Sequence, residues 1–97
     1  RVVFAHQAAP LGTGDAVLRA LPNLGEEPGP VLILSGDTPL LRPATLSALI
    51  ERQRQKDVDL TFLSFRPPDP ADFGRVVRDA RGRVRRIVDR RLRKLLA

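Results

Sequence analysis

Residues 31 to 34, Val-Leu-Ile-Leu, form an unbroken apolar run that Ser35 extends and that stops at Gly36-Asp37-Thr38-Pro39. An apolar run this short, closed by turn residues, reads as a strand covered on both faces, the pattern of a parallel sheet. Parallel neighbours need crossover connections, and the flanking sequence supplies helical patterns for them. Upstream, residues 2 to 5 read as a short buried strand bounded by His6-Gln7 and the breaker Pro10. Leu11-Gly12-Thr13-Gly14 forms a tight loop. From Asp15 the apolar positions Ala16, Val17, Ala20, Leu21 and Leu24 recur at helical spacing, and Pro22 and Gly25 end that helix.

Residues 26 to 30 make a surface connection into the apolar run. Pro43 suits the first turn of a second helix, with core face Leu46, Leu49 and Ile50, running to about Lys56. Val58, Leu60, Phe62, Leu63 and Phe65 mark another strand that stops at Pro67-Pro68, and residues 70 to 74 turn. Val76-Val77 and residues 84 to 88, separated by Asp79-Ala80-Arg81-Gly82, read as a β-hairpin with Gly82 where φ > 0 is needed. The alternation predicts an α/β fold: a mixed sheet with flanking helices, right-handed early crossovers and a C-terminal hairpin. Ligands of such sheets bind beyond the carboxyl ends of the strands, where the loops 11 to 14 and 36 to 39 both fall.

With 97 residues the chain is one domain at most, and it covers only roughly 60 to 65% of its unfolded surface. It has no Cys, which excludes zinc–thiolate sites and thiol redox chemistry. No apolar run approaches the roughly 20 residues of a membrane span, and no signal-like leader is present, so a soluble, cytoplasmic protein is expected. The net charge of +6 is unevenly placed: residues 1 to 74 carry −2 and residues 75 to 97 carry +8. Fifteen of the 17 basic residues are Arg, as in a GC-rich genome. No aromatic is interleaved with these arginines and no helix-turn-helix is apparent, which argues against nucleic acid as the partner.

Three loop features could carry chemistry, and each has a plain structural reading beside it. Gly12 and Gly14 let the backbone approach a ligand and aim N–H groups at it, helped by the positive end of the next helix; equally, they tighten a turn. Asp37, a carboxylate at the end of an apolar strand, sits where Mg²⁺ bridging phosphate oxygens would be held; equally, it caps its own turn. Gln7 offers an amide suited to the edge of a base and suited also to solvent. His6 lacks a partner nucleophile and reads as structural. Asp89, among arginines, reads on charge alone as a surface ion-pair partner.

Taken together, the ordered motifs are more specific than any one of them. Leu11-Gly12-Thr13-Gly14, Leu34-Ser35-Gly36-Asp37-Thr38-Pro39-Leu40, Asp69-Pro70 with Phe73-Gly74-Arg75-Val76-Val77-Arg78-Asp79, and residues 82 to 88 resemble the uridylyltransferase domain of the bacterial bifunctional N-acetylglucosamine-1-phosphate uridylyltransferase/glucosamine-1-phosphate acetyltransferases. The resemblance runs from about Val2 to Asp89 and implies a Rossmann-like nucleotidyltransferase fold. It implies transfer of UMP from UTP to N-acetylglucosamine 1-phosphate, with Mg²⁺, giving UDP-N-acetylglucosamine and pyrophosphate, in the service of cell-wall precursors. By that resemblance Gln7, Gly12 and Thr13 hold the nucleotide, Asp37 binds the metal, and Gly74 and Asp89 contact the sugar. No catalytic side chain is implied, since in-line attack on the α-phosphorus depends on positioning and charge neutralisation.

The chain departs from that family at Asp15, where His is usual, at Asp89, where Glu is usual, and along residues 90 to 97. It corresponds to the central part of one nucleotidyltransferase domain. The N-terminal phosphate-gripping loop, a second metal ligand and the acetyltransferase domain, through which the family forms trimers, are expected outside these 97 residues, and the segment alone is expected to be inactive. Three rivals stand beside this reading. One is a related transferase of sugar phosphates or of the molybdenum cofactor; another is a basic nucleic-acid-binding module built on the Arg-rich C-terminal quarter; the third is a poorly folding product with exposed strand edges.

Overall fold

The computed structural model describes residues 1 to 89; residues 90 to 97, which the sequence reading set apart from the resemblance, lie outside the described residues. The chain divides into two units, Arg1–Asp37 and Thr38–Ala97.

In the first unit, α1 spans Thr13–Ala20 and passes directly into a 3₁₀ turn, Leu21–Asn23. The helix therefore opens two residues before Asp15, and the loop ahead of it is shorter than the sequence pattern predicts. Gly12 is the N-cap, at φ 108° and ψ 174°, a backbone conformation essentially confined to glycine. Its carbonyl accepts the first helical hydrogen bond, from the Ala16 amide at 3.1 Å. Pro22 lacks the N–H that would continue the α-helix, and the 3₁₀ turn closes instead through Leu24 N–H to the Leu21 carbonyl at 3.0 Å.

In the second unit, α2 spans Pro43–Gln53. Arg42 ahead of it holds ψ 144°, the extended conformation that a following proline imposes, and its carbonyl takes the amides of Thr45 and Leu46. Leu46, Leu49 and Ile50 are half-buried, as their spacing predicts. The helix stops at Gln53 rather than Lys56. The Gln53 side chain donates from Nε2 to the carbonyls of Asp59 at 3.0 Å and Val58 at 3.4 Å, tying the helix end to the segment that follows.

The hairpin forms as the sequence predicts. β1, Arg75–Arg78, pairs antiparallel with β2, Val84–Val88, with Arg75 opposite Val88, Val76 opposite Ile87 and Val77 opposite Arg86. A bulge interrupts the register between Val77 and Arg78, so that Arg78 stands opposite Val84. Gly82 takes φ 78° and donates to the Asp79 carbonyl at 3.0 Å, while Asp79 N–H donates to the Arg83 carbonyl at 2.9 Å. A residue in the left-handed region gives the turn the twist its strands require.

The larger sheet is where the structure corrects the sequence reading. Among the described residues the only sheet is this two-stranded one, and residues 2 to 5, 31 to 35 and 58 to 65 join no ladder. A strand exists only where a neighbour takes up its backbone groups, and a parallel strand needs cover on both faces as well. Neither condition is met here. Phe4 is 91% exposed and Ile33 62%, and no described hydrophobic residue is fully buried. The loops 11 to 14 and 36 to 39 therefore do not stand at the carboxyl ends of formed strands.

Candidate functional site

The first unit gathers one polar cluster around the start of α1. Gln7, half-buried, donates from Nε2 to Asp15 Oδ2 at 2.8 Å and to the Gly12 carbonyl at 3.2 Å. Asp15 is held in turn by Arg19 Nη2, one helical turn on, at 3.3 Å. The i, i+4 spacing of Asp15 and Arg19 places their side chains on one helix face, with the acid toward the N-terminal end, where the helix dipole favours it. Of the nucleotide-site candidates, the structure thus joins Gln7 directly to Gly12. Thr13 is the first helical residue, and its N–H, like those of Gly14 and Asp15, belongs to the first turn, which no helical carbonyl serves. Asp15 was legible only as a departure from a family pattern; its contact with Gln7 spans eight residues and has no local signal.

Asp37 lies on the turn after Gly36 and is exposed. Its Oδ1 accepts a short hydrogen bond from the Ser35 hydroxyl, 2.6 Å. A methyl group added at Gly36 would meet nothing within 4 Å, so one side of the turn is open beside the carboxylate. Hard oxygen donors of this kind suit Mg²⁺, which is commonly held by one or two carboxylates together with substrate phosphates rather than by an all-protein cage. Among the described residues no group of three or more metal-ligating side chains occurs. Asp37 is a donor of the type Mg²⁺ takes, and as a single carboxylate it would leave most of an ion's ligands to substrate or water.

The second unit brings the two sugar-site candidates together. One step beyond the Arg75–Val88 pair, the hairpin register sets Gly74 and Asp89 at the same open end of the two strands. A Cβ on Gly74 would stand 3.4 Å from the Val88 carbonyl oxygen, so the backbone passes close to β2 there. The turn leading to Gly74 is built locally. Asp69 Oδ1 accepts from Ala71 N–H at 3.0 Å, and Phe73 N–H donates to the Pro70 carbonyl at 2.9 Å. Arg75 Nη1 ties the same turn to the strand, reaching the carbonyls of Phe73 at 2.8 Å and Pro70 at 3.1 Å. Beside Gly74 opens a groove of about 610 Å³, with Phe65, Phe73, Val76 and Ile87 on its walls. Phe65 and Phe73 meet edge to face, with ring centroids 4.9 Å apart. Neither phenylalanine was singled out from sequence as a site residue.

The hairpin turn is closed by a tightly bonded carboxylate. Asp79 accepts at Oδ1 from the amides of Arg81 and Arg83, at 2.9 and 3.0 Å, and at Oδ2 from Arg83 Nε at 2.9 Å. The Arg83 amide foremost, opposed by partial loss of water and aided by the Arg83 guanidinium and the Arg81 amide, holds the Asp79 carboxyl below the ordinary 3.8. Asp79 is structural: it ties the turn and faces no other candidate residue.

Over residues 1 to 97 the sequence matches the MobA-like NTP transferase domain. The chain belongs to that family. Within it, this transferase segment is 49% identical over 90 residues to the bifunctional protein GlmU of Synechococcus sp. (strain JA-2-3B'a(2-13)), covering 93% of this chain and 14% of that protein. It is 46% identical over 90 residues to GlmU of Gloeobacter violaceus, covering 93% of this chain and 20% of that protein. With GlmU of Pelobacter propionicus the identity is 48% over 90 residues, again 93% of this chain and 20% of that protein. The transferase segment therefore spans a fifth or less of these curated relatives. No solved structure matches it. Among the described residues no helix is long and apolar enough to cross a membrane.

Proposed function

We propose that this nucleotidyltransferase segment serves transfer of UMP from UTP to N-acetylglucosamine 1-phosphate. A phosphate oxygen of the sugar phosphate bonds to the α-phosphorus of UTP, the α–β phosphoanhydride bond breaks, and pyrophosphate leaves. The observation that carries the reading is the attachment of Gln7 to the Gly12 carbonyl at the mouth of α1, in a chain 46 to 49% identical to GlmU proteins over 93% of its length. The frame is the Rossmann-like fold that the family match supports, and the reaction belongs to the cytoplasm, where nucleoside triphosphates are made.

Each residue has a role within this reading. Gln7 meets the base edge, and the first-turn amides after Gly12, with Thr13, line its other side. Asp37, held by the Ser35 hydroxyl, would hold Mg²⁺. Bound there, the ion would offset negative charge on the nucleotide's phosphates while the α-phosphorus exchanges one oxygen for another. Gly74 admits the sugar close to the backbone, the Phe65–Phe73 groove supplies an apolar wall for an acetyl methyl, and Asp89 accepts from sugar hydroxyls. The work of the protein is positioning and charge neutralisation, so no side chain need exchange a proton with the reacting atoms.

The test is nucleotide binding and turnover by the natural protein expressed in full from its own gene. Pyrophosphate release should require UTP, N-acetylglucosamine 1-phosphate and Mg²⁺ together, and Asp37→Ala should abolish Mg²⁺-dependent UTP binding. Undiminished Mg²⁺-dependent binding in Asp37→Ala would remove the metal role. A preference for another sugar phosphate or nucleotide would move the protein to a sister activity in the same family.

A further inference from the structure

We propose that Asp15 is a positioning residue that turns Gln7 into a pure hydrogen-bond acceptor toward the base, so that the site selects a base whose pairing edge carries a ring N–H. This rests on the nucleotide reading above and adds to it the origin of base choice.

A glutamine amide can present two N–H donors or a carbonyl acceptor, and which it presents depends on its neighbours. Here Nε2 faces Asp15 Oδ2 at 2.8 Å and the Gly12 carbonyl at 3.2 Å. A carboxylate and a carbonyl can only accept, so the two donors of Nε2 are both directed inward. Rotating the amide by 180° would set Oε1 against two oxygens and lose both bonds, one of them to a charged partner.

Neither acceptor is free to move away. The Gly12 carbonyl also receives the Ala16 amide as the first bond of α1, and Asp15, 18% exposed, is held by Arg19. Oε1 of Gln7 accepts no hydrogen bond from a described residue. It is what remains to read a ligand. Uracil presents N3–H to such an acceptor. Cytosine presents the N3 lone pair at that position and carries its donor on the neighbouring C4 amine, so an Oε1 held opposite N3 would face an acceptor.

The experiment titrates UTP and CTP, each with Mg²⁺, into the natural protein and into Asp15→Asn and Arg19→Ala. The wild-type protein should prefer UTP by roughly tenfold or more, the factor that corresponds to leaving one acceptor pair unmet. In Asp15→Asn the new amide can meet either face of Gln7, so the UTP/CTP ratio should fall close to one, chiefly because CTP binding is recovered. Arg19→Ala, which keeps the carboxylate but frees it, should lower the ratio two- to threefold.

A second readout needs no nucleotide. The Gln7 side-chain NH₂ signals, observed with ¹⁵N-glutamine labelling, should exchange with water at least fivefold faster in Asp15→Asn. An unchanged UTP/CTP ratio in a folded Asp15→Asn, or parallel loss of both nucleotides, overturns the base-selection role while leaving the nucleotide reading intact. Failure of the wild-type protein to bind either nucleotide overturns the nucleotide reading itself, and the selection role with it.

Discussion

Gly74 lies against Val88: a methyl group on its Cα would stand 3.4 Å from the Val88 carbonyl oxygen and 3.8 Å from Ile87 Cγ2. That spacing is the outer limit of what the hairpin end admits. Gly74→Ala should therefore cost less than about 0.5 kcal/mol, as substitutions without a clash do. Gly74→Val, whose two further methyls enter the same gap, should cost roughly 1–3 kcal/mol through overpacking. Amide exchange at Val76 and Val77, which opens with the hairpin, reads the difference. Equal protection in both variants would show that the approach is not tight. In turnover, Gly74→Val should raise the KM for the sugar phosphate and spare that for UTP.

Gly12 and Gly14 stand two residues apart, and a methyl group on either would meet nothing within 4 Å. Space alone would call both replaceable. Their backbones differ: Gly12 sits at φ 108° and ψ 174°, whereas Gly14 is inside α1. Gly12→Ala should destabilise the first unit by roughly 1–3 kcal/mol through backbone strain. Gly14→Ala should be neutral or stabilise by up to about 1 kcal/mol, because alanine is the better helix former. Thermal unfolding of the two variants checks this, and the same sign for both would refute it.

Asp79 makes the hairpin sensitive to acid. Its carboxyl titrates below the ordinary 3.8 in the folded turn, so the folded state holds the proton less tightly than the unfolded chain does. The stabilisation is complete above that ordinary value and is lost as pH falls through the lower, folded value. Asp79→Asn should abolish this dependence and weaken the turn at neutral pH. The check is protection of the Arg81 and Arg83 amides from pH 6 to pH 2 in the two proteins. A wild-type turn that tightens on acidification would contradict the sign.

The elements that the sequence made legible are those whose causes lie within a few residues. Pro43 marks the start of α2 because a proline both fits the first turn and holds Arg42 extended. The Asp79-Ala80-Arg81-Gly82 turn marks the hairpin because glycine accepts the positive φ and aspartate can bond the amides that follow it. The same local logic set α2 too long by one turn, since periodicity alone does not include the pull of Gln53 on residues 58 and 59. It also read residues 2 to 5, 31 to 35 and 58 to 65 as paired strands. Apolar, β-prone residues express a preference for burial in a sheet, but pairing belongs to two segments at once.

Sequence alone therefore determined the two helices, the hairpin, the glycine at its turn and the family of the chain, since each rests on a local pattern or on the order of motifs. Only the tertiary structure decided that Gln7 turns its amide toward Asp15 and Gly12, that Gly74 passes against Val88, and that the apolar segments pair with no strand among the described residues. Hydrogen bonds and packing contacts join residues far apart in the chain, and a choice among alternative partners is made by geometry, not by any one residue's chemistry.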